Sequence, residues 1–322
     1  MSKKINTETV NTAGCKVYNF IKHQKMFFII SAVLILFSIG ITFTGVDIAI
    51  EFKGGTMITY SYAGDINAND AESKIEEIIN SNVTIQQGDM FQSEKKKLSI
   101  SFVSSEGFTA EKQTALTDEL KNIYSDNEIE LLDSTDVAAS SGINFFVKCL
   151  VAVGFSAIVL IFYIAIRFKR MSGWSSGVCA VLALLHDVII TYGFFVLIGF
   201  QINSNFIAVV LTILGCSINN TIVIYDRIRE NKKLMPVATI DDLVNTSISQ
   251  SLSRSIRTAF TTVSTMIIIS ITAAVFGVTS ILSFSIPITI GMTVGTYSSI
   301  CLAPTLWVAF QSRKDKKQPK EA

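Results

Sequence analysis

Six long apolar segments constrain this chain more than any other feature. A helix needs about 20 mostly apolar residues to cross the roughly 30 Å hydrocarbon core of a bilayer. Runs of that length occur at 26–46, 143–166, 177–198, 204–225, 259–278 and 286–310. Hydrophobic residues make up 49% of the chain and charged residues only 16%, a balance that soluble domains rarely show. We therefore predict a polytopic α-helical membrane protein with six transmembrane helices.

The distribution of lysine and arginine predicts the orientation of these helices, because retained positive charge marks the cytoplasmic side of a membrane. Basic residues cluster before the first span, after the second and fourth spans, and in the C-terminal tail, whereas the links at 199–203 and 277–285 carry no charge. We expect cytoplasmic tails at 1–25 and 311–322. The first apolar run is too long for a cleavable signal, so it is interpreted as an uncleaved anchor.

The segment 47–142 is predicted to form a small acidic domain outside the cytoplasm, with 7 Lys against 18 Asp plus Glu. Alternating apolar residues around Ile100 indicate a half-buried strand, and a helical apolar stripe includes Ile75. The predicted elements are strand 56–62, helix 69–80, strand 83–87, strand 97–103, helix 109–124 and strand 128–132. Their βαββαβ order is typical of a ferredoxin-like α+β domain.

The link between the fourth and fifth spans is predicted to contain an amphipathic helix near 239–257. Apolar residues recur there at every fourth position from Ile240 to Ile256, after a possible Thr239 cap. Such a helix fits the cytoplasmic face of the membrane, and a solvated connector is the alternative. The five-helix bundle is then predicted to span 143–310.

Polar residues inside the apolar spans are the candidate functional residues. Asn219, Asn220 and Thr221 lie in the fourth span, and Asp187 lies well inside the third. Such side chains must face a bundle interior or a wet cavity, because lipid offers them no hydrogen bonds. For Asp187 a structural hydrogen bond between helices and an ion-binding role both remain open.

Other classes of function find no support in the sequence. The five cysteines have neither a metal-site nor a disulfide spacing, and no hydrolase or nucleotide-binding motif is present. We therefore expect no enzyme activity, no bound cofactor or metal and no nucleic-acid partner.

Five short motifs stand out from this apolar background. They are Gly54-Gly55-Thr56, Leu185-His186-Asp187-Val188, Ser217-Ile218-Asn219-Asn220-Thr221, Asp226-Arg227-Ile228-Arg229-Glu230-Asn231 and Ser251-Leu252-Ser253-Arg254-Ser255. Together they resemble the SecF branch of the SecD/SecF family of bacterial protein-export membrane proteins, within the resistance-nodulation-division superfamily.

The resemblance implies that the chain is one half of a two-part export complex in the bacterial plasma membrane. Such a half pairs with a SecD-like membrane protein near the SecYEG channel, and the pair uses a gradient of H⁺ or Na⁺ to help draw unfolded polypeptides outward. Two alternatives remain open: a homodimeric exporter of small molecules or lipids from the same superfamily, and a structural subunit that does not couple to ions.

The resemblance also implies roles for particular residues. Asn220 stands where the family has a proton-coupling Asp, and an amide cannot titrate, although its oxygen could bind Na⁺. Arg254 matches a family arginine that could pair with a carboxylate of the partner, or else anchor the chain at lipid phosphate. Asn219, Thr221 and Asp187 complete the expected coupling set.

Two further groups are given structural roles. The charged residues at the cytoplasmic end of the fourth span are expected to form a salt-bridged hinge, or an ordinary membrane border. They are Asp226, Arg227, Arg229 and Glu230. Gly54 and Gly55 are expected to form a tight turn after the first helix.

Overall fold

A computed structural model of the chain describes residues 16–43, 45–89, 95–103, 108–169, 173–276 and 278–317. The predicted tails therefore lie partly outside the described residues. In chain order the elements are α1 Gln24–Thr42, α2 Ile50–Lys53, β1 Gly55–Tyr62, α3 Ala68–Ile79, β2 Val83–Asp89, β3 Lys96–Phe102, α4 Ala110–Ile123, β4 Glu130–Val137, α5 Ala139–Arg167, α6 Gly173–Leu197, α7 Ser204–Leu234, α8 Ile240–Val275, α9 Thr279–Tyr297 and α10 Ala303–Lys317. A π turn at Ser298–Leu302 joins the last two helices.

Six helical segments of the described chain are long and apolar enough to cross a membrane. They are α1, α5, α6, α7, α8 and the joined α9 and α10. This confirms the prediction of a six-helix membrane protein. The segments differ in burial: about half of the apolar window is buried in α6, in α7 and in the joined α9 and α10, against 11% for α5 and 6% for α8. α6, α7 and the joined α9 and α10 thus form the centre of the bundle.

The domain between α1 and α5 has one four-stranded antiparallel sheet in the order β2-β3-β1-β4. Ile58 pairs with Ile100 at its centre, and both are fully buried together with Ile75 of α3 and Leu120 of α4. The βαββαβ element order follows the prediction, and the strand order is consistent with a ferredoxin-like domain. β4 ends five residues later than predicted, because this largely exposed edge strand has no apolar alternation to mark its end.

A short segment joins this domain to the membrane helices. Ala49 N donates to Ile202 O at 2.9 Å, and Ile202 N donates to Asp47 O at 2.8 Å, so the chain after α1 pairs with the α6–α7 link. Phe52 is buried against the rings of Phe145 and Phe146 at the start of α5, with centroid distances of 5.6 and 5.2 Å. This segment therefore contacts both α5 and the link between α6 and α7.

The end of the bundle that contains the end of α7 and the start of α8 differs from the sequence-based expectation. α7 continues to Leu234, and α8 is a single 36-residue helix rather than a surface helix at 239–257 followed by a span at 259–278. The physical reason is that no Gly or Pro occurs between 240 and 275 to break it. Val244 and Ile248 are buried inside the protein instead of facing lipid headgroups, whereas Ile256 is exposed. The Thr239 hydroxyl accepts from Asp242 N at 3.1 Å, as expected of a cap.

Candidate ion-coupling site and partner face

Asp187 lies at the centre of the bundle, where α6 meets α7 and the π turn. Its side chain is completely buried. Ser217 Oγ and Ser298 Oγ each donate to Asp187 Oδ2 at 2.7 Å, so α7 and the turn after α9 both bind this carboxyl. The structure therefore places a multiply hydrogen-bonded acid within the membrane-spanning region.

His186 adds a second titratable group to this centre. Its Nδ1 lies 3.0 Å from Asp187 Oδ1, and its side chain is only 3% exposed. The other ring nitrogen, Nε2, is buried and has no hydrogen-bond partner among the described residues. The ring centroid of Tyr297 lies 6.2 Å from that of His186.

Further hydroxyls form a network around the carboxyl. Thr221 Oγ1 donates to Ser299 Oγ at 3.0 Å, and Ser299 Oγ donates to Ser217 O at 3.1 Å. Thr191 Oγ1 donates to the backbone oxygen of Asp187 at 2.8 Å. Asp187 and Thr221 of the predicted coupling set are thus joined through Ser217 and Ser299.

The serines of the π turn are functional candidates that sequence reasoning missed. A π turn inserts one extra residue into a helix and is frequent at functional sites. Gly295 lets this segment approach α7, because a Cβ at that position would lie 3.1 Å from Ser217 Cβ and 3.4 Å from Asp187 Oδ2. The spacing Gly291, Gly295, then Ser298 and Ser299 was the available signal for close packing at a polar site.

Asn219 and Asn220 do not join this network. Asn220 is 6% exposed, and its side chain has no hydrogen bond within the described part of the chain. Asn219 is exposed on a different face of α7, the same open face as Ala208 and Gly215. The two amides therefore face different surroundings, as expected for neighbours about 100° apart on a helix.

The predicted charged hinge forms a network of ion pairs. Asp226 lies 3.1 Å from Arg167 Nη2 and 2.8 Å from Arg229 Nη2, and Arg227 Nη1 lies 2.6 Å from Glu230 Oε2. The pair between Asp226 and Arg167 connects the end of α7 to α5, and the other two pairs lie within α7. The Arg227 Nε also donates to Gln250 Oε1 of α8 at 2.7 Å.

A cleft of about 470 Å³ opens beside these ion pairs, between α7 and α8. Arg254 and Lys233 line it together with the paired charges. The Arg254 side chain is exposed and has no ion pair with any described residue. Its guanidinium is therefore available to a carboxylate or phosphate outside this chain.

Gly54 and Gly55 form the expected turn. Their φ angles are 80° and 145°, which residues with a side chain rarely adopt. The turn lies directly against the start of α5.

Within the described residues, no group of three His, Cys, Asp or Glu side chains could hold a metal ion.

Comparison with known proteins places the chain in a family. The family model for the C-terminal region of the protein export membrane proteins SecD and SecF matches residues 115–313. The chain belongs to the SecD/SecF family. It is 33% identical to the protein translocase subunit SecF of Petrotoga mobilis, over 93% of this chain and 98% of that protein. It is 32% identical to SecF of Sebaldella termitidis, over 93% of each.

The family also includes longer proteins in which a SecD part is present. The chain is 30% identical to the SecDF subunit of Bacillus subtilis, over 93% of this chain and 39% of that protein. The crystal structure of SecDF from Thermus thermophilus superposes with a TM-score of 0.79 at 30% identity, covering 92% of this chain and 39% of that one. The chain thus spans about two fifths of the SecDF proteins. It is a multi-pass protein translocase subunit of the SecF type.

Proposed function

We propose that this chain is one half of a bacterial Sec protein translocase, and that it pairs with a SecD-like half in the plasma membrane. The pair uses a gradient of H⁺ or Na⁺ to promote movement of unfolded polypeptides through a SecYEG channel. The observation that carries the pairing is the open face of α7, formed by Ala208, Leu211, Gly215 and Asn219.

That face is poorly suited to lipid. Asn219 presents an exposed carboxamide in a membrane-spanning helix, and the described residues give it no hydrogen bond. Lipid tails cannot satisfy such a group, which costs free energy until another helix supplies a partner. A Cβ on Gly215 would meet nothing within 4 Å in this chain. Small residues flanking a polar one are typical of close contacts between membrane helices.

The exposed threonines of α8 provide a contrast that supports this interpretation. Thr261 Oγ1 donates to Arg257 O at 3.1 Å, and Thr265 Oγ1 donates to Thr261 O at 2.9 Å. Hydroxyls bonded to the preceding turn of their own helix tolerate lipid. These exposed threonines of α8 therefore need no partner, whereas Asn219 does.

The orientation of the proposed half follows from charge and contacts. Tyr18 N donates to Ser249 Oγ and Phe20 N to Asn245 Oδ1, both at 2.9 Å, so the N-terminal segment lies against the start of α8. The same end of the bundle carries the ion pairs of α7. This supports an N-terminus on the basic, cytoplasmic side.

Replacing Gly215 with leucine is expected to reduce recovery of the SecD-like partner about tenfold, which corresponds to about 1.4 kcal/mol of association. The measurement is affinity purification of the tagged chain from its native membrane in mild detergent, followed by mass spectrometry. Gly154→Leu is the matched control, because Gly154 is exposed on α5 and also has open space around its Cβ position.

Three results would contradict the proposal or part of it. Equal partner recovery from Gly215→Leu and Gly154→Leu would remove the α7 face from the interface. Recovery of the wild-type chain alone as a dimer would favour a homodimeric exporter. Recovery of the chain with its SecD-like partner, together with export whose rate does not depend on the ion gradient, would favour a structural subunit.

Replacing Asn220 with aspartate is expected to leave assembly intact and to change the dependence of export on the ion gradient, because a carboxyl titrates and an amide does not. Export of a secreted reporter is measured while an uncoupler lowers the gradient in steps. Asn220→Leu, which can bind neither a proton nor Na⁺, is the comparison at the same position. A gradient dependence identical in all three chains would contradict this prediction.

A further inference from the structure

His186 and Asp187 form a buried pair whose charge no other described residue balances. Asp187 is the only acidic side chain in the described chain that is fully buried. It accepts hydrogen bonds from two serine hydroxyls and contacts one imidazole nitrogen. Its only ion-pair partner among the described residues is His186. An ionised carboxyl in such surroundings is energetically costly without a positive charge nearby, because it has lost its hydration.

The groups that face the pair from neighbouring elements do not supply that charge. α7 contributes Ser217, and the π turn contributes Ser298. α9 contributes Tyr297, whose hydroxyl donates to Phe27 O at 3.0 Å and lies 3.3 Å from Ser31 Oγ of α1. Cys301 lies nearby on the π turn. None of these side chains is cationic, so the charge of the pair depends on protons.

We propose that His186 and Asp187 share one exchangeable proton and are the proton-holding site of this half. With the proton absent, the imidazole is neutral and the carboxylate anionic, so the pair carries one negative charge. Uptake of one proton forms one N–H or O–H bond and makes the pair neutral overall, and release returns the proton to water. Use of this proton in export rests on the proposed function, whereas its binding does not.

The surrounding side chains suit both states of the pair. The hydroxyls of Ser217 and Ser298 donate to a carboxylate, and each can rotate to accept from a carboxylic acid. The buried, unpartnered Nε2 of His186 leaves one ring nitrogen free to gain or lose a proton while Nδ1 holds the carboxyl. This site also lies within the same chain as Asn220, which cannot perform that role. The proton site is thereby assigned to α6 rather than α7.

The composition of the chain makes the test direct, because its only histidines are His23 and His186. The full chain carrying His23→Gln is labelled with ¹⁵N-histidine and reconstituted in lipid nanodiscs with its co-purifying partner. NMR then follows the two ring nitrogens of His186 as the pH is changed. We expect one titration step. Asp187→Asn should move its midpoint by about one pH unit or more.

Two further variants keep the test decisive. Asp70→Asn, on the surface of the external domain, is the control and should leave the midpoint unchanged. Asp187→Glu retains a carboxyl and should retain a step, so the experiment does not depend on the asparagine variant folding. Absence of any pH-dependent change at His186, or an identical midpoint in Asp187→Asn, would overturn the proposal.

Parallel export measurements separate this inference from the proposed function. The titration step could be present while export is independent of the ion gradient in both the parent chain and Asp187→Asn. That result would support the shared proton and contradict the proposal that the gradient drives export. If the step is absent while export follows the gradient, the function stands and the proton lies elsewhere.

Discussion

Replacing Gly54 with alanine is expected to destabilise the chain by about 3 kcal/mol or more, through backbone strain and overpacking together. Gly54 has φ 80° and ψ 153°, a conformation almost restricted to glycine. An added Cβ would overlap the Cα of Ala139 and lie 2.7 Å from its backbone nitrogen. Ala139 begins α5, so relief requires a shift of a membrane helix.

The chain contains its own reporter for this change. Cys179 is fully buried, so its labelling by a fluorescent maleimide on heating follows unfolding of the bundle. The assay uses a background in which the other cysteines, Cys15, Cys149, Cys216 and Cys301, are serine. Gly54→Ala should label at a clearly lower temperature, whereas Gly154→Ala, with open space around its Cβ position, should match the parent. Equal labelling midpoints for the two variants would show that the turn is not strained.

How much of the fold was predictable depends on whether an element buries an apolar face. The helices of the bundle follow from apolar length, and β3 follows from alternation around Ile100, which is fully buried. β4 is exposed along most of its length, so its sequence shows no alternation of apolar and polar residues. The sequence also predicted too early an end for α7. Its last turns are polar, but their side chains form ion pairs and hydrogen bonds with α5 and α8.

In the candidate site, only an ionisable residue within an apolar run could be identified from the sequence. Asp187 is conspicuous in an apolar run, whereas Ser298 and Ser299 are ordinary residues of membrane helices, which often bond their own backbone. Only the π turn brings both serines against α6 and α7. The pair Asn219 and Asn220 was grouped with Asp187, although helical geometry alone separates adjacent residues by about 100°.

Replacing Gly193 with alanine is expected to destabilise the bundle by about 2 to 3 kcal/mol, by overpacking the interface between α1 and α6. A Cβ at Gly193 would overlap the side chain of Ser38 and lie 2.7 Å from the Cα atom of the same serine. α1 buries few of its own residues, Ser31, Ser38 and Ile41, so this close approach is a large part of its attachment. Glycine allows such an approach between membrane helices.

A second substitution distinguishes this clash from a general effect of helix mutations. Ser38→Gly removes the side chain that the new methyl group would overlap and leaves only the backbone of α1 facing it. In that background the cost of Gly193→Ala should fall by about 1 kcal/mol without vanishing, because the Cα at position 38 still lies 2.7 Å from the added methyl group. A double-mutant cycle measures this coupling directly. The Cys179 labelling assay applies unchanged. Additive effects of the two substitutions would mean that contact with the Ser38 side chain is not the cause of the destabilisation.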